Sequence, residues 1–121
     1  LSVENFDPSL AEGLMLLTPF TVDEEGSQDF VKAYEEAYGI EPLQFGAGAY
    51  DSVYAIKAAA EKAGLTPDMD ISDMCEAMKT AMTEITVDGL TGEGMTWNAA
   101  GEPDKAPKAA KIVNGVYEMM D

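Results

Sequence analysis

Gly13-Leu14-Met15-Leu16-Leu17-Thr18 is a continuous apolar run closed by Pro19. A short unbroken run of this kind is the pattern of a strand buried on both faces, and proline, which has no amide hydrogen, ends it. Upstream, residues 1–12 mix Asn5, Asp7 and Pro8 with apolar residues and show no period, so a loop with a short turn at Pro8 is expected. Downstream, Asp23, Glu24, Glu25 and Gly26 form a polar connection. Ser27 then stands where a helix N-cap belongs, with Asp29 in the first turn. Phe30, Tyr34 and Tyr38 recur at four-residue spacing with Val31 and Ala37 beside them, which aligns one apolar face, and Gly39 supplies the stop.

After a break at Pro42, the stretch from Gly48 to Gly64 is rich in alanine and reads as a second helix. Ala49, Val53, Ile56 and Ala60 share a stripe on it, the predicted buried face, laid against a sheet in a layered arrangement. Pro67 and Asp68 make a turn, and Asp70 or Ser72 caps a third helix whose Met74, Met78, Met82 and Ile85 form a core stripe. Cys75 sits within that stripe and is expected to be a buried apolar thiol. Gly89, Gly92 and Gly94 then mark turns and close backbone approach before a strand at Met95-Thr96-Trp97. Near the end, Asn114-Gly115 lies between two β-prone runs, the strongest short signal for a hairpin. The elements define an α/β fold of three helices packed on a few strands with a C-terminal β-hairpin.

A chain of 121 residues with 46% hydrophobic and 25% charged residues has the apolar content of a folded protein and the length of one ordinary domain. Its charge is one-sided: 23 acidic residues against 7 Lys plus Arg give a net charge of -16. Nucleic acid is excluded as a partner, because phosphate neutralisation needs clustered Lys and Arg, and an anionic membrane surface is disfavoured for the same reason. The single cysteine rules out an intramolecular disulfide. No apolar run reaches the length of a membrane span. The start at Leu1, with no initiator methionine, is what a processed or excised chain would show.

Candidate chemistry is sparse. The chain has no histidine, which removes the commonest general base and metal ligand, and it has no glycine-flanked nucleophilic serine. Asp23-Glu24-Glu25 and the group Asp68, Asp70, Asp73 lack the alternating ligand spacing of a hard-cation loop. Gly46-Ala47-Gly48 precedes a helix, but Asp51 stands where a dinucleotide fingerprint needs a third glycine. The residues therefore predict no enzyme, no cofactor and no metal. What is left is Phe45, in Leu43-Gln44-Phe45-Gly46-Ala47, on a connection of the kind where open α/β sheets bind small ligands. Core packing is the other reading of this ring.

Taken together, Ala11-Glu12-Gly13 before the apolar run and Pro19, Phe30 and Tyr34 with Tyr38-Gly39 and Pro42, Ala49-Tyr50-Asp51-Ser52-Val53, and Thr91-Gly92 before Thr96-Trp97 and Gly101 resemble the C-terminal third of the branched-chain amino-acid-binding proteins of ABC importers. The resemblance runs from about Ala11 to Tyr117. It implies a fragment of the two-lobed periplasmic-binding-protein type I fold: residues 1–19 as second-lobe strand and hinge, 20–88 as first-lobe helices, 89–121 as the return crossover and hairpin. Thr18, Pro19 and Gly92 would be hinge residues. Phe45 would press on the apolar part of a bound amino acid or similar solute, with Gln44 and Phe20 as neighbours in the site.

The same resemblance implies a solute-binding role outside the cytoplasmic membrane, in a periplasm or as a lipoprotein, with a membrane permease as partner of the full-length protein. Residues holding the ligand's ammonium and carboxylate would lie mostly upstream, so the isolated chain is expected not to bind solute, and its uncovered strand edges are expected to self-associate. The alternative readings are a ligand-sensing ectodomain of a signalling receptor on the same fold, and a small acidic interaction domain with a Met-rich docking helix.

Overall fold

The computed structural model describes residues 6–120. In chain order the elements are β1 (Met15–Leu17), α1 (Gln28–Tyr38), α2 (Gln44–Ala63), α3 (Ile71–Met82), β2 (Val87–Gly89), β3 (Gly92–Trp97), β4 (Pro103–Asp104), β5 (Ala109–Val113) and β6 (Val116–Met119), with short 3-10 turns at Pro8–Ala11 and Glu25–Ser27. The opening loop expected over residues 1–12 lies partly outside the described residues. From Asp7 onward the turn at Pro8 is present, and the Asp7 carboxylate accepts from the Ser9 amide at 3.0 Å.

The described residues form two compact units, one made of the chain up to Gly46 and from Pro107 onward, the other running from Ala47 to Ala106. In the first unit β1, β5 and β6 build an antiparallel sheet in the order β1-β5-β6, with Leu16 opposite Ala110 and Val113 opposite Val116. The Asn114-Gly115 hairpin is present, and both residues take the positive φ (51° and 81°) that a two-residue turn of this hand requires. β1 departs from expectation. It spans three residues, and Met15 and Leu17 are 66% and 74% exposed. A strand is buried on both faces only when layers cover both, and β1 is an edge strand whose outward side is uncovered among the described residues.

α1 packs through Val31, Phe30 and Tyr34 and ends at Gly39, which is left-handed (φ 71°) and donates its amide to Glu35 O at 2.8 Å. Ser27 occupies the N-cap of α1, but its hydroxyl makes no capping bond. Asp70 likewise holds the N-cap position of α3 without a side-chain bond.

In the second unit the antiparallel sheet β2-β3-β4 joins α2 and α3 around a core of Ala55, Ala59, Ala81, Ile85, Val87 and Met95, with Met78, Met82 and Trp97 against it. Two expectations are corrected here. The buried face of α2 is Ala47, Asp51, Ala55 and Ala59, while Val53 and Ile56 are exposed. The helix carries apolar residues on both sides, and the side that is used contains an aspartate, which a hydrophobicity reading discards. Cys75 is exposed, because it follows Met74 by one residue and so faces about 100° away from the methionine stripe.

Candidate functional site

Thr18, Pro19 and Phe20 form the exit from β1. The Thr18 amide donates to Lys108 O at 3.1 Å. Its hydroxyl donates to Phe20 O at 3.0 Å and stands 3.3 Å from Gln44 Oε1, an acceptor it can also reach. Phe20 is 4% exposed, and its ring meets the edge of Phe30 at 6.0 Å between centroids. Phe30, Tyr34 and Tyr38 continue the row of rings along α1 at 5.8 and 4.7 Å. Phe20 is thus a packing residue that fixes where the crossover runs.

The crossover is pinned further along. Glu24 accepts the Thr21 amide at 2.9 Å through Oε1, and its Oε2 pairs with the Lys108 ammonium, both side chains being largely buried. The Thr21 hydroxyl bonds to Asp23, and the Asp23 carboxylate also accepts the Met119 amide at 3.4 Å. Residues 18–24 are therefore tied to Lys108, just before β5, and to Met119 of β6.

Gln44 and Phe45 open α2, where the Gly46 amide donates to Leu43 O at 2.9 Å. Pro42 beneath them is fully buried, and a Cβ on Gly46 would lie 3.5 Å from the Tyr34 ring, so this first turn rests closely on α1. Phe45 is 79% exposed. With its carbonyl toward Thr18, Gln44 leaves its amide NH2, two donors, for another acceptor. The first unit thus brings Thr18, Phe20 and Gln44 together through hydrogen bonds, with the exposed Phe45 ring next in sequence.

Gly92 belongs to the second unit. A Cβ there would meet Met95 Cγ at 3.1 Å and Lys105 Cβ at 3.2 Å, so the residue serves close packing. Beside it lies a network the sequence reading missed. Asp51 is 5% exposed and accepts from the Leu90 and Thr91 amides and the Thr91 hydroxyl, while Lys105 Nζ donates to Thr91 Oγ1 at 2.9 Å. The available signal was the four-residue spacing of Ala47, Asp51, Ala55 and Ala59, a small-residue row interrupted by one acid. Among the described residues no group of three or more His, Cys, Asp or Glu side chains could hold a metal ion. No helix among them is long and apolar enough to cross a membrane.

Over residues 2–115 the sequence matches the family described as periplasmic binding protein, and the chain belongs to that family. No curated protein matches it significantly. Solved structures share its fold. An ABC transporter substrate-binding protein from Desulfitobacterium hafniense in complex with Leu superposes with a TM-score of 0.73 at 23% identity, covering 93% of this chain and 32% of its own. For a leucine binding protein from Thermotoga maritima MSB8 the values are 0.65, 23%, 94% and 33%. For a solute binding protein of an ABC transporter from R. palustris in complex with benzoate they are 0.67, 19%, 91% and 29%. The chain spans about a third of the length of the structures it matches. Its helices and antiparallel strands are a portion of the periplasmic-binding-protein type I fold.

Proposed function

We propose that this chain is part of the solute-binding component of an ABC importer, outside the cytoplasmic membrane, that captures a branched-chain amino acid or a similar small solute and delivers it to a membrane permease. The family match over residues 2–115 carries this reading. The solute's apolar group rests on Phe45, the most exposed aromatic ring among the described residues. Gln44, steadied by Thr18, offers its amide to the solute's polar end.

In this reading residues 1–19 belong to the second lobe, 20–88 to the first and 89–121 to the return, and Thr18, Pro19 and Gly92 serve the crossovers about which the lobes close. The 121 residues supply one wall of the cleft. Alone they bind no solute with useful affinity, and their uncovered edges self-associate.

The test is a thermal-shift panel of amino acids and small carboxylates, benzoate included, on a longer chain that contains these residues. A ligand at a hundred times its dissociation constant stabilises the native state by about 2.7 kcal/mol, which is easily seen. A shift with leucine, isoleucine or valine that Phe45→Ala weakens supports the reading. A shift that Phe45→Ala leaves untouched moves the site elsewhere, and silence across the panel favours a different solute class or a sensor.

A further inference from the structure

We propose that Asn114, in the turn between β5 and β6, is a site of spontaneous deamidation through a cyclic imide with Gly115, and that the new charge loosens the segment before β1 from the hairpin. In this reaction the Gly115 backbone nitrogen gives up its proton and bonds to Asn114 Cγ. The bond from Cγ to the side-chain nitrogen breaks, and that nitrogen leaves as ammonia with the proton. Water then opens the imide at either carbonyl, giving aspartate or, where the chain comes to run through the side-chain carbon, isoaspartate. Only water is consumed, and nothing is oxidised or reduced.

The sequence holds three asparagines, Asn5, Asn98 and Asn114, and of these Asn114 alone is followed by glycine. A Cβ on the next residue crowds the attacking nitrogen, and glycine has none. Asn114 is exposed, and its side chain makes no hydrogen bond among the described residues. Asn98 is held at both ends of its amide: the NH2 donates to Glu102 Oε2 at 2.7 Å, and the carbonyl accepts the Ala100 and Glu102 amides at 2.9 and 3.0 Å. Attack also needs Asn114 to rotate out of its left-handed conformation (φ 51°). That motion is confined to the tip of a hairpin whose outer strand, β6, is an edge of the sheet β1-β5-β6, so it takes local opening and not unfolding.

The same turn holds the segment before β1. The Asn114 amide donates to Glu12 Oε2 at 2.8 Å, and a Cβ on Gly115 would lie 3.1 Å from Pro8 Cβ. The Gly13 amide continues the contact with a bond to Ile112 O at 2.8 Å. Deamidation puts a negative charge on the residue whose amide holds the Glu12 carboxylate, in a chain already at net charge -16. Isoaspartate further lengthens the backbone of a turn that the pairing of Val113 with Val116 keeps to two residues.

The test is incubation of a longer chain that contains these residues, folded and unfolded in guanidinium chloride, at mildly alkaline pH in heavy-oxygen water. Conversion is read peptide by peptide by mass spectrometry. In the folded chain Asn114 is expected to become a mixture of aspartate and isoaspartate carrying one heavy oxygen, at a rate within about tenfold of the unfolded chain, while Asn98 stays intact. Slower conversion than this, or conversion of Asn98 at the same rate, overturns the site. Asn114→Asp, made directly, tests the consequence. Hydrogen exchange at the Gly13 and Ile112 amides is expected to quicken by about threefold or more, and Glu12→Gln in the same chain to restore it. Exchange that Asn114→Asp leaves unchanged, or quickening that Glu12→Gln does not reverse, overturns the loosening by charge.

Discussion

Asp51 on α2 and Thr91 in the turn between β2 and β3 are joined twice, the carboxylate Oδ2 accepting the Thr91 amide at 2.8 Å and its hydroxyl at 2.7 Å. The other oxygen accepts the Leu90 amide, also at 2.8 Å. A buried carboxylate is costly unless its oxygens are satisfied, and here two backbone amides and a hydroxyl satisfy them across 39 to 40 residues of chain. Removing the acceptor leaves both amides without their partner. Asp51→Ala is therefore expected to destabilise the fold by about 3 kcal/mol, read as a lowered urea midpoint at unchanged slope. Asp51→Asn, which sets an NH2 against the same donors, should also lose stability.

Gly89 faces the same carboxylate. A Cβ at that position would lie 2.6 Å from the Asp51 carboxyl carbon, a distance no pair of such atoms tolerates. Gly89→Ala should cost about 2 kcal/mol in the native background and much less once Asp51→Ala has removed the obstacle. A double-mutant cycle on the unfolding free energies measures this. A coupling energy near zero would show that the strain of the new methyl is taken up elsewhere.

These two residues also show where a reading of the sequence stops. The helix stops and the hairpin turn were legible because they rest on local geometry: Gly39 and Gly64 close their helices with positive φ, and Asn114-Gly115 turns the hairpin. The methionine stripe of α3 was legible because one face is apolar and the other is not. α2 was misread because both of its sides are apolar, and an aspartate whose partners lie 39 to 40 residues away decides between them. β1 was misread because an apolar run shows that burial is wanted and not which chain provides it. At the candidate site, Phe45 stood out as an aromatic ring among small residues, and Gln44 entered only as its neighbour. The ties from Glu24 to Lys108 and from Asp23 to Met119 span 84 and 96 residues and leave no local pattern.

The Glu24–Lys108 pair holds the crossover after β1 to the start of β5, with the side chains 18% and 24% exposed. At that burial a charge left alone is poorly solvated, and Glu24 also carries the Thr21 amide. Lys108→Met should destabilise by about 1 to 2 kcal/mol, with the loss falling at high salt by less than for a fully exposed pair such as Lys57–Glu61, whose side chains are 66% and 69% exposed. Chemical denaturation in low and high sodium chloride, for both pairs, checks the contrast.

The hydroxyls of Tyr50 and Tyr54 lie 3.2 Å apart on successive turns of α2, with ring centroids separated by 4.9 Å. The hydrogen bond to Tyr54 is the main cause that raises the Tyr50 hydroxyl above the ordinary tyrosine range, with burial and the nearby Tyr54 and Asp51 charges adding to it. A tyrosine raised in this way holds its proton more tightly folded than unfolded. Its contribution to stability is fully present below the unfolded value near pH 10 and is lost as pH rises from there through the folded value. Tyr54→Phe removes the partner hydroxyl and keeps the ring, so the ultraviolet titration of tyrosinate should move to lower pH, and the alkaline decline in stability from this residue should shrink. Tyr50→Phe should delete the late-titrating component altogether. A Tyr50 titration midpoint that Tyr54→Phe leaves unchanged would show that the two hydroxyls do not interact in solution.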